Sequence, residues 1–207
     1  MISFACISPH PPLLLPDIGS KTDRSAVAKT IESLEKLGSL LAAIQPQTIV
    51  ISSPHPDWGF NVPLHFLANG ISPEVITVLC GLEPPDEYFK KGAEFYLKQL
   101  KNLADKIALI ASGDLSHRLK VDGPYGFHEQ GPLFDKKLVA SLKNSDVKTI
   151  IGLENEFPEA GECGLRSFCF LLGILEGAKI GWQADILSYE SPFGVGYLVA
   201  NFDLKTQ

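Results

Sequence analysis

Short apolar runs alternate with longer amphipathic stretches along most of this chain. The runs Ile2 to Ile7, Thr48 to Ile51 and Ile107 to Ala111 are partly β-branched and end abruptly, which predicts buried strands. Between the first two, apolar residues recur every three or four positions from about Ser20 to Ile44, which predicts an amphipathic helix. A strand, a helix and a second strand form a βαβ unit, so the two strands should lie parallel, with their carboxyl ends at one edge of the sheet.

The rest of the chain predicts further helices and strands of ordinary length. Helices are predicted over residues 84–103, 132–142, 146–153 and 168–176, and strands over residues 62–67, 75–79, 181–189 and 194–202. We expect His65, inside the strand 62–67, to be a hydrogen-bonded structural residue, and the last two strands to form a hairpin. We therefore predict an α/β fold in which residues 1–207 form a single domain, a three-layer sandwich around a largely parallel central sheet with a C-terminal β-hairpin.

The composition fits a folded domain without a polyanionic partner. Hydrophobic residues make up 45% of the 207 residues, enough for a large core. The formal net charge of −6, with no basic run, gives no support for binding nucleic acid or an anionic membrane surface. The start of the chain lacks the basic flank of a signal peptide, and no apolar stretch reaches the roughly 18 residues of a membrane span. Because the four cysteines show no C-x-x-C spacing, we expect a cytoplasmic protein.

One short phrase, Ser-Pro-His-Pro, occurs twice, each time directly after a predicted strand. It surrounds His10 at residues 8–11 and His55 at residues 53–56. The prolines end the strand and stiffen the backbone on both sides of each histidine. Since the two strands should end at the same edge of the sheet, we expect both imidazoles to lie close together and share a site. The alternative is that each is a turn histidine that makes a backbone hydrogen bond.

A third polar loop follows the strand that ends at Ala111. It carries Asp114, Ser116 and His117, and it reaches the same edge if its strand is parallel to the others. Asp114 is interpreted either as a carboxylate that holds an imidazole or as a turn residue that caps its own loop. The glycine- and proline-rich segment 122–132 has the length of a lid or binding loop, and its His128 is either a substrate contact or an exposed residue.

Two histidines need only one carboxylate to form the facial triad that binds non-haem Fe(II) and leaves three positions open. Glu162 is the candidate, because it precedes an apolar helix and has glycines nearby that allow close backbone approach. Glu159 and Asp114 are weaker candidates. The alternative for Glu162 is a favourable partner for the helix dipole.

Four motifs in order resemble one known family. They are the two Ser-Pro-His-Pro phrases, Gly-Asp-Leu-Ser-His at residues 113–117 and Glu-Cys-Gly-Leu-Arg at residues 162–166. They are similar to motifs of the class III extradiol ring-cleavage dioxygenases, which include the LigB-like catalytic subunit of protocatechuate 4,5-dioxygenase. Within that family the chain most resembles the AmmeMemoRadiSam subgroup, which contains the Memo proteins.

The resemblance implies a role for each matching residue. His10, His55 and Glu162 would bind Fe(II), and His117 would be the acid and base, with Asp114 beside it. In Memo proteins the matching motif is Cys-Gly, which points to Cys163 as the alternative ligand and to another divalent metal or copper as the alternative cofactor. Our candidates for substrate contacts are three further residues: Ser116, His128 and Arg166.

The function that the resemblance implies is cleavage of a catechol- or aminophenol-like ring with O2. A Memo-like protein that uses the same pocket for binding, regulation or metal handling, without ring cleavage, is the alternative. The expected partners are a small aromatic substrate and O2, together with a second copy of the chain or a partner subunit. By resemblance, that subunit would be an AMMECR1-like or radical SAM protein.

Overall fold

The structure, a computed structural model, describes residues 1–205, and within this range one six-stranded sheet organises the chain. Its strands are β1 (Ile2–Ser8), β2 (Thr48–Ser53), β3 (Glu74–Leu79), β4 (Ile107–Ser112), β5 (Gly181–Glu190) and β6 (Tyr197–Lys205). They lie in the order β3-β2-β4-β1-β6-β5. Strands β1 to β4 run parallel, whereas β6 is antiparallel to both β1 and β5. The predicted α/β fold with a largely parallel sheet and a C-terminal β-hairpin is confirmed.

The helices of the described chain connect these strands. They are α1 (Lys21–Ala26), α2 (Ala28–Ile44), α3 (Trp58–Leu67), α4 (Pro85–Phe95), α5 (Gln130–Lys143), α6 (Val147–Glu156) and α7 (Leu165–Gly177). A 3₁₀ turn (Pro12–Leu14) follows β1, and a π-helical turn (Tyr96–Leu100) extends α4. Within residues 1–205, no helix combines the length and apolar character that crossing a bilayer requires.

Helices cover both faces of the sheet and complete the three layers. On one face, α4 to α7 contribute side chains such as Leu138 and Phe168 to the larger of two cores. On the other face, α2 and α3 contribute side chains such as Leu37 and Val62 to the second core. Successive residues of β1 and β4 alternate between the two cores, which is why these strands are apolar throughout instead of alternating with polar residues.

The parallel strands end almost level with one another. Ser8 at the end of β1 pairs with Ser112 at the end of β4, and Ser52 of β2 pairs with Ala111. Because β4 lies between β1 and β2, the loops that follow these three strands emerge side by side at one edge. This register positions the candidate site.

The prediction of a strand over residues 62–67 is wrong, because these residues belong to α3. Its buried residues, Gly59, Val62, Pro63 and Leu67, recur at intervals close to one helical turn, and Val62 and Leu67 pack in the second core. The apolar run is also long enough for a buried strand, so periodicity alone did not separate the two. His65 lies exposed on this helix, against the edge of Phe66, instead of inside a strand.

The stretch predicted as one helix from Ser20 to Ile44 is two helices. Ser20 caps α1 through a reciprocal pair of hydrogen bonds with Asp23, and the helical backbone breaks at Val27 before α2 begins. The side chain of Val27 is buried in the second core. A change in backbone direction at one residue leaves the apolar spacing intact, so the sequence pattern could not reveal it.

Helices α4 and α7 approach so closely that glycine is required at their contact. A Cβ atom at Gly173 would collide with the backbone oxygen of Phe89, whereas a Cβ at Gly152 on α6 would meet open space. We expect Gly173→Ala to lower the free energy of unfolding by about 1–3 kcal/mol, because the two helices must move apart. Gly152→Ala is the matched control and should raise it by about 0.5–1 kcal/mol through helix propensity. Urea unfolding of both variants measures these changes, and equal effects would contradict the predicted close contact.

Candidate functional site

The loops after β1, β2 and β4 bring their polar side chains together at the carboxyl edge of the sheet. The ring centroids of His10 and His55 lie 5.2 Å apart, with the rings nearly perpendicular. The predicted proximity of the two histidines is therefore confirmed. Asp114 and His117 from the third loop, and Cys163 from the turn before α7, lie beside them.

The imidazole of His10 is buried and held in one tautomer. Its Nδ1 lies 2.9 Å from Oγ of Ser112, whose own hydroxyl proton is donated to the backbone oxygen of Gly59. Ser112 therefore accepts from Nδ1–H, and Nε2 of His10 keeps its lone pair. Burial, with a smaller contribution from the charge of His55, lowers the pKa of His10 to about 3. The ring is thus a neutral imidazole with a free nitrogen, the form that binds metals.

The acceptor for Ser112 is available because of a proline in α3. In a regular helix the N–H at position 63 would donate to the backbone oxygen of Gly59, but Pro63 has no N–H. The oxygen of Gly59 is instead paired with Ser112. A proline usually weakens a helix. Here Pro63 leaves the backbone oxygen of Gly59 free to accept the hydrogen bond that orients a site residue.

The thiol of Cys163 completes a group of three candidate ligands. The ligand atoms of His10, His55 and Cys163 all lie within 4.8 Å of one another, and Sγ is 3.6 Å from Nε2 of His10. The thiol also accepts a hydrogen bond from the backbone N–H of Asp114. Burial raises the pKa of Cys163 well above its usual range, so a nearby metal cation would be needed to hold it as a thiolate at neutral pH.

The structure does not bring Glu162 into this group. Its buried carboxylate accepts from the backbone N–H of Leu165 at 2.6 Å, at the beginning of α7, and lies 3.6 Å from the guanidinium of Arg166. Burial raises the pKa of Glu162 to about 7, although both neighbours favour the anion. The helix start and Arg166 hold the Glu162 side chain, and the next residue, Cys163, is the one that joins the histidines.

The second group in the site consists of Asp114, His117 and Cys163. Nε2 of His117 is buried and has no hydrogen-bond partner within the part of the chain that the structure describes, and its ring stacks against Tyr125 at 5.0 Å. Burial lowers the pKa of His117. A buried nitrogen without a partner is unfavourable, and such a group in a cleft is a candidate for binding or proton transfer.

Asp114 links two of the loops. Its Oδ1 accepts from the backbone N–H of His10 at 3.1 Å, and Oδ2 lies 3.9 Å from Nε2 of the same residue. The hydrogen bond to the backbone of His10 joins the first loop to the third. It corresponds to neither of the two roles predicted for Asp114. Burial raises the pKa of Asp114 to about 6.

His10, His55, Asp114 and His117 form part of the lining of a cavity of about 450 Å³, a volume within the range of small-molecule sites. Its other walls are largely aromatic or apolar, and Trp58 stacks on His55 at 5.3 Å. The lining residues are His10, Pro11, Pro12, Leu13, His55, Trp58, Asp114, His117, Pro124, Tyr125, Phe193, Val195 and Tyr197. Sequence reasoning missed the aromatic wall. Trp58 lies three residues after His55 and could have been considered, but Phe193 lies in the connection after β5 and Tyr197 begins β6, and neither gave a signal.

The three candidate substrate contacts do not line this cavity. Ser116 is fully buried, and its hydroxyl donates to the backbone oxygen of Ala160 at 2.7 Å. Arg166 pairs with Glu154, on the side of the loop away from the histidines. The ring of His128 accepts from a backbone N–H two residues later. Each therefore stabilises a loop or helix in this structure.

The family model described as the catalytic LigB subunit of aromatic ring-opening dioxygenase matches residues 55–200. A curated relative, Protein CA_C1420 from Clostridium acetobutylicum, is 28% identical over 266 residues, covering 94% of this chain and 56% of the relative. The chain thus spans about half the length of that relative. The uncharacterized protein JW3007 from Escherichia coli K12 shares the fold, with a TM-score of 0.61, 16% identity, and coverage of 96% of this chain and 98% of that one. The family match begins at His55, so the loop of His10 is assigned by geometry.

Substitutions of two neighbouring side chains should change the affinity for metal by very different amounts. Cys163→Ser should lower the affinity for Fe(II) by at least about 10-fold, because the soft thiolate ligand is lost. Glu162→Gln keeps an acceptor oxygen for the helix start and should change the affinity by less than about 3-fold. Anaerobic competition against a chromophoric chelator measures both values. Loss of metal binding in Glu162→Gln alone would show that the carboxylate is the ligand.

A buried carboxylate outside the cavity holds the loop that carries His117. Oδ1 of Asp135 accepts from the backbone N–H of Ser116 at 2.8 Å, and Oδ2 accepts from the hydroxyl of Tyr189 at 2.5 Å. Burial outweighs these hydrogen bonds and raises the pKa of Asp135 to about 7. Between about pH 4, where an unfolded aspartate titrates, and pH 7, the folded state holds a proton that the unfolded chain has released.

The stability that neutral Asp135 contributes is therefore complete below about pH 4 and is lost as the pH rises through 7. Asp135→Asn removes this loss, so the variant should gain stability relative to the wild type between pH 4 and 8, by on the order of 4 kcal/mol. Urea unfolding across this range measures the difference. Asp146→Asn is the control: hydrogen bonds from Thr149 lower the pKa of this exposed N-cap, so its contribution is lost as the pH falls. A pH-independent difference for Asp135→Asn would contradict the prediction.

Proposed function

Since this chain belongs to the family of catalytic LigB subunits of aromatic ring-opening dioxygenases, we propose that it is an extradiol-type dioxygenase that cleaves a catechol- or aminophenol-like ring with O2. The observation that carries the proposal is the convergence of His10, His55 and Cys163 beside an aromatic-lined cavity, whose wall includes the two histidines. His117, with its unpartnered nitrogen, lines the same cavity.

The residues of the site fit a divalent metal ion. Nε2 of His10 is free because Nδ1 is bonded to Ser112, and His55 and Cys163 offer two further ligand atoms within reach of the same ion. Three protein ligands leave coordination positions open. We propose Fe(II), with copper as the alternative that a thiolate favours. When bound, the metal would lower the pKa of a diol hydroxyl and bring the ring and O2 together.

The protein groups would then position the ring and move its proton. His117 accepts a hydroxyl proton at Nε2 and returns it to the opened product. Asp114 keeps the loops of His10 and His117 in register through its bond to the backbone of His10. In the overall reaction, one ring carbon–carbon bond beside a hydroxylated carbon breaks and each new end takes one oxygen atom. The ring supplies the four electrons that reduce O2, so no external reductant is consumed.

The decisive experiment is anaerobic reconstitution with Fe(II), followed by addition of catechols, aminophenols and O2. We expect coloured ring-opened products from at least one diol. His117→Gln should lower kcat by about 10²–10⁴-fold, the usual contribution of acid–base catalysis, while the iron content stays unchanged. His65→Gln, the same change on the exposed face of α3, is the matched control and should leave kcat unaltered.

One observation favours a second function. The third member of the ligand group with His10 and His55 is the thiol of Cys163, as in the Cys-Gly motif of Memo proteins, and not the carboxylate of Glu162. A Memo-like protein that binds or handles a metal without ring cleavage would use the same three ligands. Tight metal binding with no ring-opened product and no spectral change on addition of catechol would support this second function against the first.

The remaining expectations from the sequence concern the setting of this activity. The Memo-like subgroup, the cytoplasmic location, and the second copy or partner subunit all stay predictions. So does the single domain over residues 1–207. Roles for Ser116, His128 and Arg166 in substrate binding would require these side chains to move toward the cavity.

A further inference from the structure

The described residues that line the cavity supply no permanent cation. Of the described residues that line it, none is lysine or arginine. The basic residues in the nearby loops are engaged elsewhere: Arg118 pairs with Glu159 at 2.8 Å, and Arg166 pairs with Glu154. The ammonium of Lys120 donates to the backbone oxygen of Pro192 at 3.2 Å.

The site already contains groups that can offset the charge of a bound divalent metal. Asp114 lies within the wall, 6% exposed, and Cys163 would be a thiolate when a metal is bound. An ionised diol would add further negative charge next to these groups. A carboxylate on the ring would then lose water in this cavity without gaining a cationic partner, which is strongly unfavourable.

The aromatic side chains at the opening favour a flat ring and tolerate a positive charge. Trp58 and Tyr125 line the cavity, are 44% and 60% exposed, and stack on His55 and His117. Their π-faces attract aromatic rings through offset stacking and attract ammonium groups through cation–π interaction. An anionic substituent gains neither.

We propose that the substrate is a flat aromatic ring without a carboxylate or other anionic substituent, and that the cavity rejects acidic diols. This inference rests on the proposed function for the diol and defines the class of ring that the site accepts. The metal ligands would accept any diol. The cavity wall would then select by charge, because without a basic side chain among its described residues it excludes diols that carry a carboxylate.

The test compares catechol with 3,4-dihydroxybenzoate, which differs by one carboxylate, and with 4-(2-aminoethyl)catechol, which carries an ammonium group. For the iron-loaded protein we expect kcat/KM to favour catechol over the acid by about 50-fold or more, since the buried carboxylate has no partner. The amine should react at least as well as catechol. Equal or better turnover of the acid would overturn the inference while leaving the proposed function intact.

A second readout does not depend on turnover. The three compounds are titrated anaerobically into the protein as purified, and quenching of tryptophan fluorescence is followed, with Trp58→Phe identifying the part of the signal from the cavity. Catechol should quench at a concentration at least about 10-fold lower than the acid. If no diol is opened but this order holds, the proposed function fails and the charge selection stands. Absence of quenching by all three compounds would overturn the charge selection.

Added positive charge should weaken the discrimination against the acid. Leu13→Lys places an ammonium in the half-buried wall, and Pro124→Lys places one on the exposed rim, where folding is not at risk. Either variant should reduce the preference for catechol over the acid by about 10-fold, chiefly through a lower KM for the acid. Leu13→Met, the uncharged control, should retain the wild-type preference. An unchanged preference in both lysine variants would overturn the inference.

Discussion

The candidate site depends on one chain of hydrogen bonds that runs from the sheet to an outer helix. His10 donates to Ser112, and Ser112 donates to the backbone oxygen of Gly59. This chain fixes both the tautomer and the ring orientation of His10, and each of its members is supplied by a different element. The loop after β1 carries the histidine, β4 ends at the serine, and α3 offers a carbonyl that Pro63 has left without its helical partner. Without this chain of hydrogen bonds, Nε2 of His10, which faces Cys163, could carry the proton, and metal binding would require a change of tautomer.

Burial shapes the electrostatics of the whole edge. It holds His10 neutral and raises the pKa values of Asp114, Asp135 and Glu162 toward neutrality. The carboxyl edge therefore carries less charge than its list of ionisable residues suggests. A metal ion would change this balance directly, since it favours the thiolate of Cys163 and the neutral imidazoles. Folding and metal binding should accordingly be linked in this protein.

The sequence predicted the parts of the fold that follow from strand endings. Apolar runs stopped by proline located β1 and β2, and the βαβ rule correctly predicted that His10 and His55 meet at one edge. Prediction from the sequence failed where a strand and a helix share one apolar pattern, as in α3. The sequence also did not decide whether Glu162 or Cys163 joins the histidines, because adjacent residues can face different partners. In the structure the start of α7 binds the carboxylate of Glu162 and leaves Cys163 beside the histidines.

Most of the aromatic wall could not be predicted. Trp58, Tyr125 and Phe193 come from three separate connections, and each is unremarkable in its local sequence. Their convergence depends on the lengths and paths of loops, which hydrophobic periodicity does not encode. The side chains that would select a substrate therefore lie in the part of the chain that is hardest to interpret, whereas the two histidines of the site lie in the easiest.

This separation has an evolutionary consequence. The spacing of His10 and His55 is set by β4 between their strands, and the backbone ladder of a parallel sheet varies little. The loops that carry the aromatic wall can exchange side chains without disturbing that spacing. Descendants of such a scaffold could acquire new aromatic substrates through a few loop substitutions while inheriting an intact metal-binding geometry.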